Sequence, residues 1–170
     1  MTLPLFVLSL LIGMMLAEAR VSRRHEALLR ARGAIEPAGD IYRVMAIAYP
    51  AVFIAMGLEG VLRSARPEGV FASGLLLLAA SKGLKYWAIG ALGERWSFRV
   101  LVLPGVPLVT HGPYRYVPHP NYVAVVGELA GTAMIMGATV SGPIALAVFG
   151  AILWVRLKFE TDVLRKAYEQ

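Results

Sequence analysis

The sequence predicts an all-α, polytopic membrane protein with about five transmembrane helices, the last two forming a C-terminal helical hairpin. Two observations carry that expectation. Of the 170 residues, 58% are hydrophobic and only 16% are charged, whereas a soluble domain has about a quarter charged residues and under half apolar ones. The apolar residues also fall in long runs, the pattern that a hydrocarbon layer about 30 Å thick demands.

The first run, Leu3 to Ala19, has no basic residue before it and Arg20, Arg23 and Arg24 after it. A cleaved leader begins with the basic residues instead, so this run reads as a retained helix with its N-terminus outside the cytoplasm. The second span runs from about Val44 to Leu62 and contains Pro50 and Gly57, which membrane helices tolerate better than soluble ones. Arg63 to Glu68 reads as a short polar turn. A third span covers about Val70 to Leu92, with Lys82 and Lys85 towards its C-terminal end, where long side chains snorkel or face a polar site. Gly93 to Asn121 is too rich in Pro, Gly, Arg and aromatics to span. The hairpin follows as two apolar stretches, Tyr122 to Val140 and Pro143 to Leu157, with Ser141-Gly142-Pro143 as the turn. The second arm runs on into a charged tail, Arg156 to Gln170.

Five spans put the first loop, the long segment and the tail on one side. Together these regions hold 13 Lys and Arg, against Arg63 and Arg66 on the other side. The positive-inside rule therefore places the loops and the C-terminus in the cytoplasm. The same rule accounts for the net charge of +6 without nucleic acid. There is no cysteine, which excludes disulfides, thiolate zinc sites and a cysteine nucleophile. His25, His111 and His119 are too scattered for a metal cluster, and no metal is expected.

The densest group of chemically able residues runs from His111 to Tyr122: His111-Gly112-Pro113-Tyr114-Arg115-Tyr116-Val117-Pro118-His119-Pro120-Asn121-Tyr122. Prolines and glycine hold such a segment irregular while imidazole, phenol and guanidinium groups project from it. Its composition suits either a ligand grip or an aromatic belt at headgroup level. Asn121, Val125 and Glu128 recur at i, i+4 and i+7, which places them on one helix face. Glu128 then lies about two turns inside the membrane, where an acid is costly and is a functional candidate by default; Lys82 or Lys85 is the expected partner. Arg156 and Glu160 are spaced to pair with each other on a helix. Glu18 and Glu59, near the ends of their spans, read as interfacial.

The run Gly112-Pro113-Tyr114-Arg115-Tyr116, then His119-Pro120-Asn121-Tyr122, resembles the Gly-x-Tyr…Arg-His-Pro-x-Tyr motif of the isoprenylcysteine carboxyl methyltransferase family. After a hairpin, Arg156-Leu157-Lys158-Phe159-Glu160 resembles that family's Arg-Ile-x-x-Glu-Glu ending. Three other segments, Arg23-Arg24-His25-Glu26, Ala31-Arg32-Gly33-Ala34-Ile35-Glu36 and Leu92-Gly93-Glu94-Arg95-Trp96, are similar to small bacterial members. Some of those O-methylate long-chain alkylpyrones or alkylresorcinols. Two positions depart from the motifs, Pro118 in place of Arg and Thr161 in place of the second Glu, which favours a small lipophilic acceptor over a prenylcysteine carboxylate.

The resemblance implies one domain, residues 1–170, with the cofactor-binding half at about 93–170. It implies methyl transfer from S-adenosylmethionine to a hydroxyl, enol or carboxylate of a lipophilic acceptor drawn from membrane lipid, at the cytoplasmic face of a bacterial membrane. His119, Tyr122 and Glu160 are expected at the cofactor, with Tyr114, Arg115, Pro120 and Asn121 around it. Arg156 is expected to orient the acceptor, and Glu128 or His119 to serve as base. A phospholipid N-methyltransferase and a non-catalytic lipid-binding membrane protein are the alternatives.

Overall fold

Helix α1 (Leu3–Ala31) carries the first apolar run and continues well past it. The stretch after Ala19 holds no proline or glycine before Gly33 and is rich in Ala, Leu, Glu and Arg, all good helix formers. Arg20, Arg23, Arg24 and Arg30 therefore line a helical extension rather than a loop, one that rises roughly 18 Å beyond the expected end. The computed structural model describes residues 2–63 and 69–168. Most of the turn expected at Arg63 to Glu68, including Arg66, lies outside the described residues.

Helices α2 (Tyr42–Leu62) and α3 (Phe71–Leu92) match the second and third apolar runs within two residues. Helix α4 (Pro120–Met136) starts on a proline whose missing N–H costs nothing in a first turn. It ends at Gly137, whose φ of 63° is left-handed, so it stops short of Val140. The hairpin turn is consequently residues 137–140, and Ser141-Gly142-Pro143 form the first turn of α5 (Ser141–Tyr168) rather than the connection. The charged tail continues α5 as helix. Four helices, α1, α2, α3 and α5, are long and apolar enough to cross a membrane.

The fifth, α4, has 17 residues and rises about 25 Å, at the short limit for a span. It is also the core of the bundle. Nine of its residues are buried, Glu128, Leu129 and Thr132 among them, with α1, α2, α3 and α5 all packed against it. Shielded by neighbours, it need not match the lipid thickness by itself. Its packing on α3 is close because both helices carry small residues there. A Cβ on Gly131 would lie 2.8 Å from the Leu78 nitrogen and 2.9 Å from the Gly74 oxygen, so the backbones meet directly, as small residues permit between membrane helices.

The two ends of the bundle differ. At one end Gly60 abuts Pro4 and the Met136 carbonyl. There Glu59 accepts hydrogen bonds from the Val140 and Ser141 amides and the Ser141 hydroxyl, capping α5. The other end carries the first loop and the segment between α3 and α4, which includes short 3-10 turns at Gly93–Arg95 and Gly112–Arg115. These pieces are stitched together: Ile35 and Val102 form an isolated antiparallel bridge, and the Phe98 amide donates to Ser22 Oγ at 2.8 Å. Arg99 reaches Glu36 at 2.5 Å and Glu26 at 3.4 Å. Arg30 first and Arg99 second hold the Glu36 carboxyl below its ordinary value of 4.5, and Glu36 in turn raises Arg99.

Candidate active site

The loop-bearing end collects most of the residues singled out by sequence. His119 caps the start of α4, and its ring stacks on Tyr122 with centroids 5.6 Å apart and planes 16° apart. Pro120 lies between them at the first helical position, where its fixed φ suits the start of α4. The Tyr122 hydroxyl donates to Glu160 on α5. His119 Nδ1 lies 3.9 Å from the other Glu160 oxygen, and Nε2 lies 3.2 Å from the Thr161 hydroxyl. Thr161, the departure from the family ending, thus takes a place beside the imidazole. Tyr114, in the 3-10 turn just before, is half-buried, and burial followed by the nearby Glu160 charge raises its phenol. Asn121 turns a carboxamide oxygen inward that is buried and finds no donor. Arg115 is exposed and makes no ion pair among the described residues.

Arg156, one turn before Glu160, does not pair with it. Its Nη1 donates to Asp40, its Nη2 donates to the Phe98 carbonyl at 2.8 Å, and its Nε is buried without a partner. Asp40 in turn accepts from the Tyr42 amide at 2.9 Å, at the start of α2, and from the Val100 amide at 3.2 Å.

Glu128 belongs to a different group, deeper in the bundle and closed on all sides. Lys85 and Lys82 approach it at 2.8 and 3.1 Å, and the Tyr49 hydroxyl donates to it at 2.5 Å. The same two lysines reach Glu18 at 3.3 and 3.1 Å. Both lysines expected as partners are therefore engaged. Glu18, expected at the interface, is instead 4% exposed within this knot, because its side of α1 turns inward and both α3 lysines close on its carboxylate. Two ammonium groups and two carboxylates balance, so four helices are joined through ion pairs that together carry no net charge.

A model of the isoprenylcysteine carboxyl methyltransferase family matches residues 74–166, more than half the chain, from the first turn of α3 to the end of α5. The chain belongs to that family. The chain is similar to YpbQ of Bacillus subtilis (strain 168), an uncharacterized protein, with 29% identity over 94% of this chain and 95% of the relative. It is also similar to an uncharacterized protein of Haemophilus influenzae, with 28% identity over 85% of this chain and 84% of the relative. No solved structure matches the chain. Membership in the isoprenylcysteine carboxyl methyltransferase family makes this a membrane methyltransferase of a lipophilic substrate.

Of the residues expected in the site, the fold brings together His119, Tyr122, Glu160 and Tyr114, with Arg156 beside them; Pro120 and Asn121 adjoin them along the chain at the start of α4. Glu128 is not brought to this group, and Arg115 stands outside it. Asp40 was missed. Its position just before α2 marks it as a helix-start residue, but nothing local connects it to Arg156, 116 positions away.

Proposed function

We propose that the protein is an S-adenosylmethionine-dependent methyltransferase that O-methylates a hydroxyl, enol or carboxylate of a lipophilic acceptor. The reaction takes place at the cytoplasmic face of a bacterial inner membrane, with the N-terminus outside, as the distribution of Lys and Arg supports. The observation that carries this reading is the convergence of His119, Tyr122 and Glu160 from α4 and α5 at the loop-bearing end.

The residues fit the cofactor, which combines a sulfonium, an ammonium, ribose hydroxyls, a carboxylate and a planar base. Against these stand a partly open carboxylate (Glu160), a stacked imidazole and phenol, and the unpaired Asn121 Oδ1. A buried acceptor without a donor is costly, and an N–H or O–H of the ligand would relieve it. Glu160 would accept from ribose or amino groups, while His119 and Tyr122 offer an aromatic face that favours cations. Tyr114 and Pro120 would wall the pocket, and Arg115 at the rim would meet the carboxylate. When bound, the cofactor supplies an activated methyl group.

The chain's own residues would do the rest. Arg156, fixed by Asp40 and Phe98, keeps its Nε–H unpartnered and can use it to hold an acceptor oxygen. His119 lies between the Glu160 carboxylate and the Thr161 hydroxyl, which fixes its ring to take a proton from a hydroxyl acceptor. The half-buried aromatic surroundings exclude water and align the reactants. Glu128, enclosed with its lysines, holds helices together in this scheme.

The test is incubation of the purified protein with isotope-labelled S-adenosylmethionine and a lipid extract of its source. Label in the organic phase that His119→Ala and Glu160→Ala both abolish, with helical content intact, is the expected result. Full activity in both variants overturns the site. Release of the label by alkali identifies a methyl ester; label retained identifies an ether, and label found only on amines overturns O-methylation.

A further inference from the structure

The Arg156 guanidinium is committed before any ligand arrives. It has five N–H donors in a planar fork. One edge faces Asp40 and the Phe98 carbonyl, leaving Nε as its unpartnered nitrogen. The two side chains are 4% and 5% exposed, so the pair is sealed from solvent. Asp40 is also not free to swing aside. The Tyr42 and Val100 amides hold its two oxygens, tying it to the start of α2 and to the segment after α3. It is a fixed counter-ion on the residue expected to orient the acceptor.

One consequence follows. Asp40 and Phe98 take one hydrogen from each Nη, which leaves the edge that carries Nε for an acceptor. An ionised group at that edge would feel the Asp40 charge from roughly 6 Å, a repulsion that at an interior permittivity of about 20 weakens binding ten- to hundredfold relative to the same site without Asp40. A neutral oxygen meets no such penalty.

We propose that Asp40 determines acceptor specificity: by neutralising Arg156 it makes the site take a protonated hydroxyl in preference to a carboxylate. This rests on the reading in which Arg156 faces the methyl acceptor. Asp40 is a positioning residue, since it acts through Arg156.

The test uses the full chain in lipid nanodiscs and equilibrium binding of two labelled probes with similar tails, pentadecylphenol and palmitate, near neutral pH. Wild type is expected to prefer the phenol. Asp40→Asn should shift the ratio of affinities towards palmitate by roughly tenfold or more. Asp40→Ser does the same while keeping an oxygen for the Tyr42 amide, so a folding failure of one variant leaves the other. Asp40→Glu retains the charge and should retain the preference. An unchanged ratio in the folded charge-removing variants, a wild type that prefers palmitate, or a wild type that binds neither probe overturns the inference. Transfer of label from S-adenosylmethionine to pentadecylphenol is measured in parallel. A binding ratio that follows Asp40 without any transfer sinks the methyltransferase reading alone, whereas transfer with an unmoved ratio sinks this inference alone.

Discussion

The knot around Glu128 allows a stability change to be worked from contacts. Glu128 neutralises Lys85 at 2.8 Å and Lys82 at 3.1 Å and accepts the Tyr49 hydroxyl at 2.5 Å. In Glu128→Ala the two lysines retain Glu18 as their one counter-ion, at 3.3 and 3.1 Å, which leaves one excess positive charge in the bundle. The Tyr49 hydroxyl also loses its acceptor. Breaking a buried pair from one side costs about 3–5 kcal/mol, because the survivor remains buried and uncompensated. Glu128→Gln keeps the volume and a hydrogen-bond acceptor, so its cost should be smaller. Adding Lys85→Met to Glu128→Gln restores neutrality and should recover about 1–3 kcal/mol, a coupling typical of contacting residues. Denaturant unfolding in mixed micelles, followed by tryptophan fluorescence, measures all three. A Glu128→Ala protein within about 1 kcal/mol of wild type, or a double variant no better than the single, would refute the ionic-knot reasoning. Turnover separates packing from catalysis: folded Glu128→Gln should stay active, and complete loss would return Glu128 to the role of base.

At the α3/α4 contact, Gly131→Ala should destabilise by about 1–3 kcal/mol, because the new Cβ meets backbone atoms of Leu78 and Gly74 that cannot move aside. Gly83→Ala, on the same α3 but with nothing within 4 Å, is the control and should be neutral or gain up to about 1 kcal/mol; the same unfolding assay compares them. Glu36 supplies a pH dependence. Its carboxyl is lowered from 4.5 in the folded protein, so its contribution is present above that value and is lost as pH falls through the folded pKa. Protection of the Ile35 and Val102 amides, which bond across the bridge, measured as exchange relative to the unstructured chain at the same pH, should fall on acidification below 4.5. In Glu36→Gln that protection should already be low at neutral pH and lack this step.

What the sequence determined by itself was local. Long apolar runs required helices because lipid leaves no partner for open backbone, and α2 and α3 appear where hydropathy puts them. Gly112 to Tyr122 and Arg156 to Glu160 named the family and most of the loop-end cluster, and the cost of an acid in the membrane pointed from Glu128 to Lys82 and Lys85. Hydropathy, however, marks where lipid ends and not where a helix ends. It therefore did not register the extension of α1 to Ala31 or the turn at residues 137–140. Partner choice belonged to the tertiary structure. Arg156 had an acid four residues away, and the fold gave it Asp40, 116 positions away, because the start of α2 and the segment after α3 converge on α5. Glu18 became buried for the same reason, since packing of α1 against α2 and α4 decides which of its faces turns inward, where Lys82 and Lys85 meet it. Coulomb and hydrogen-bond energies depend on distance in space, and only the assembled bundle sets that distance.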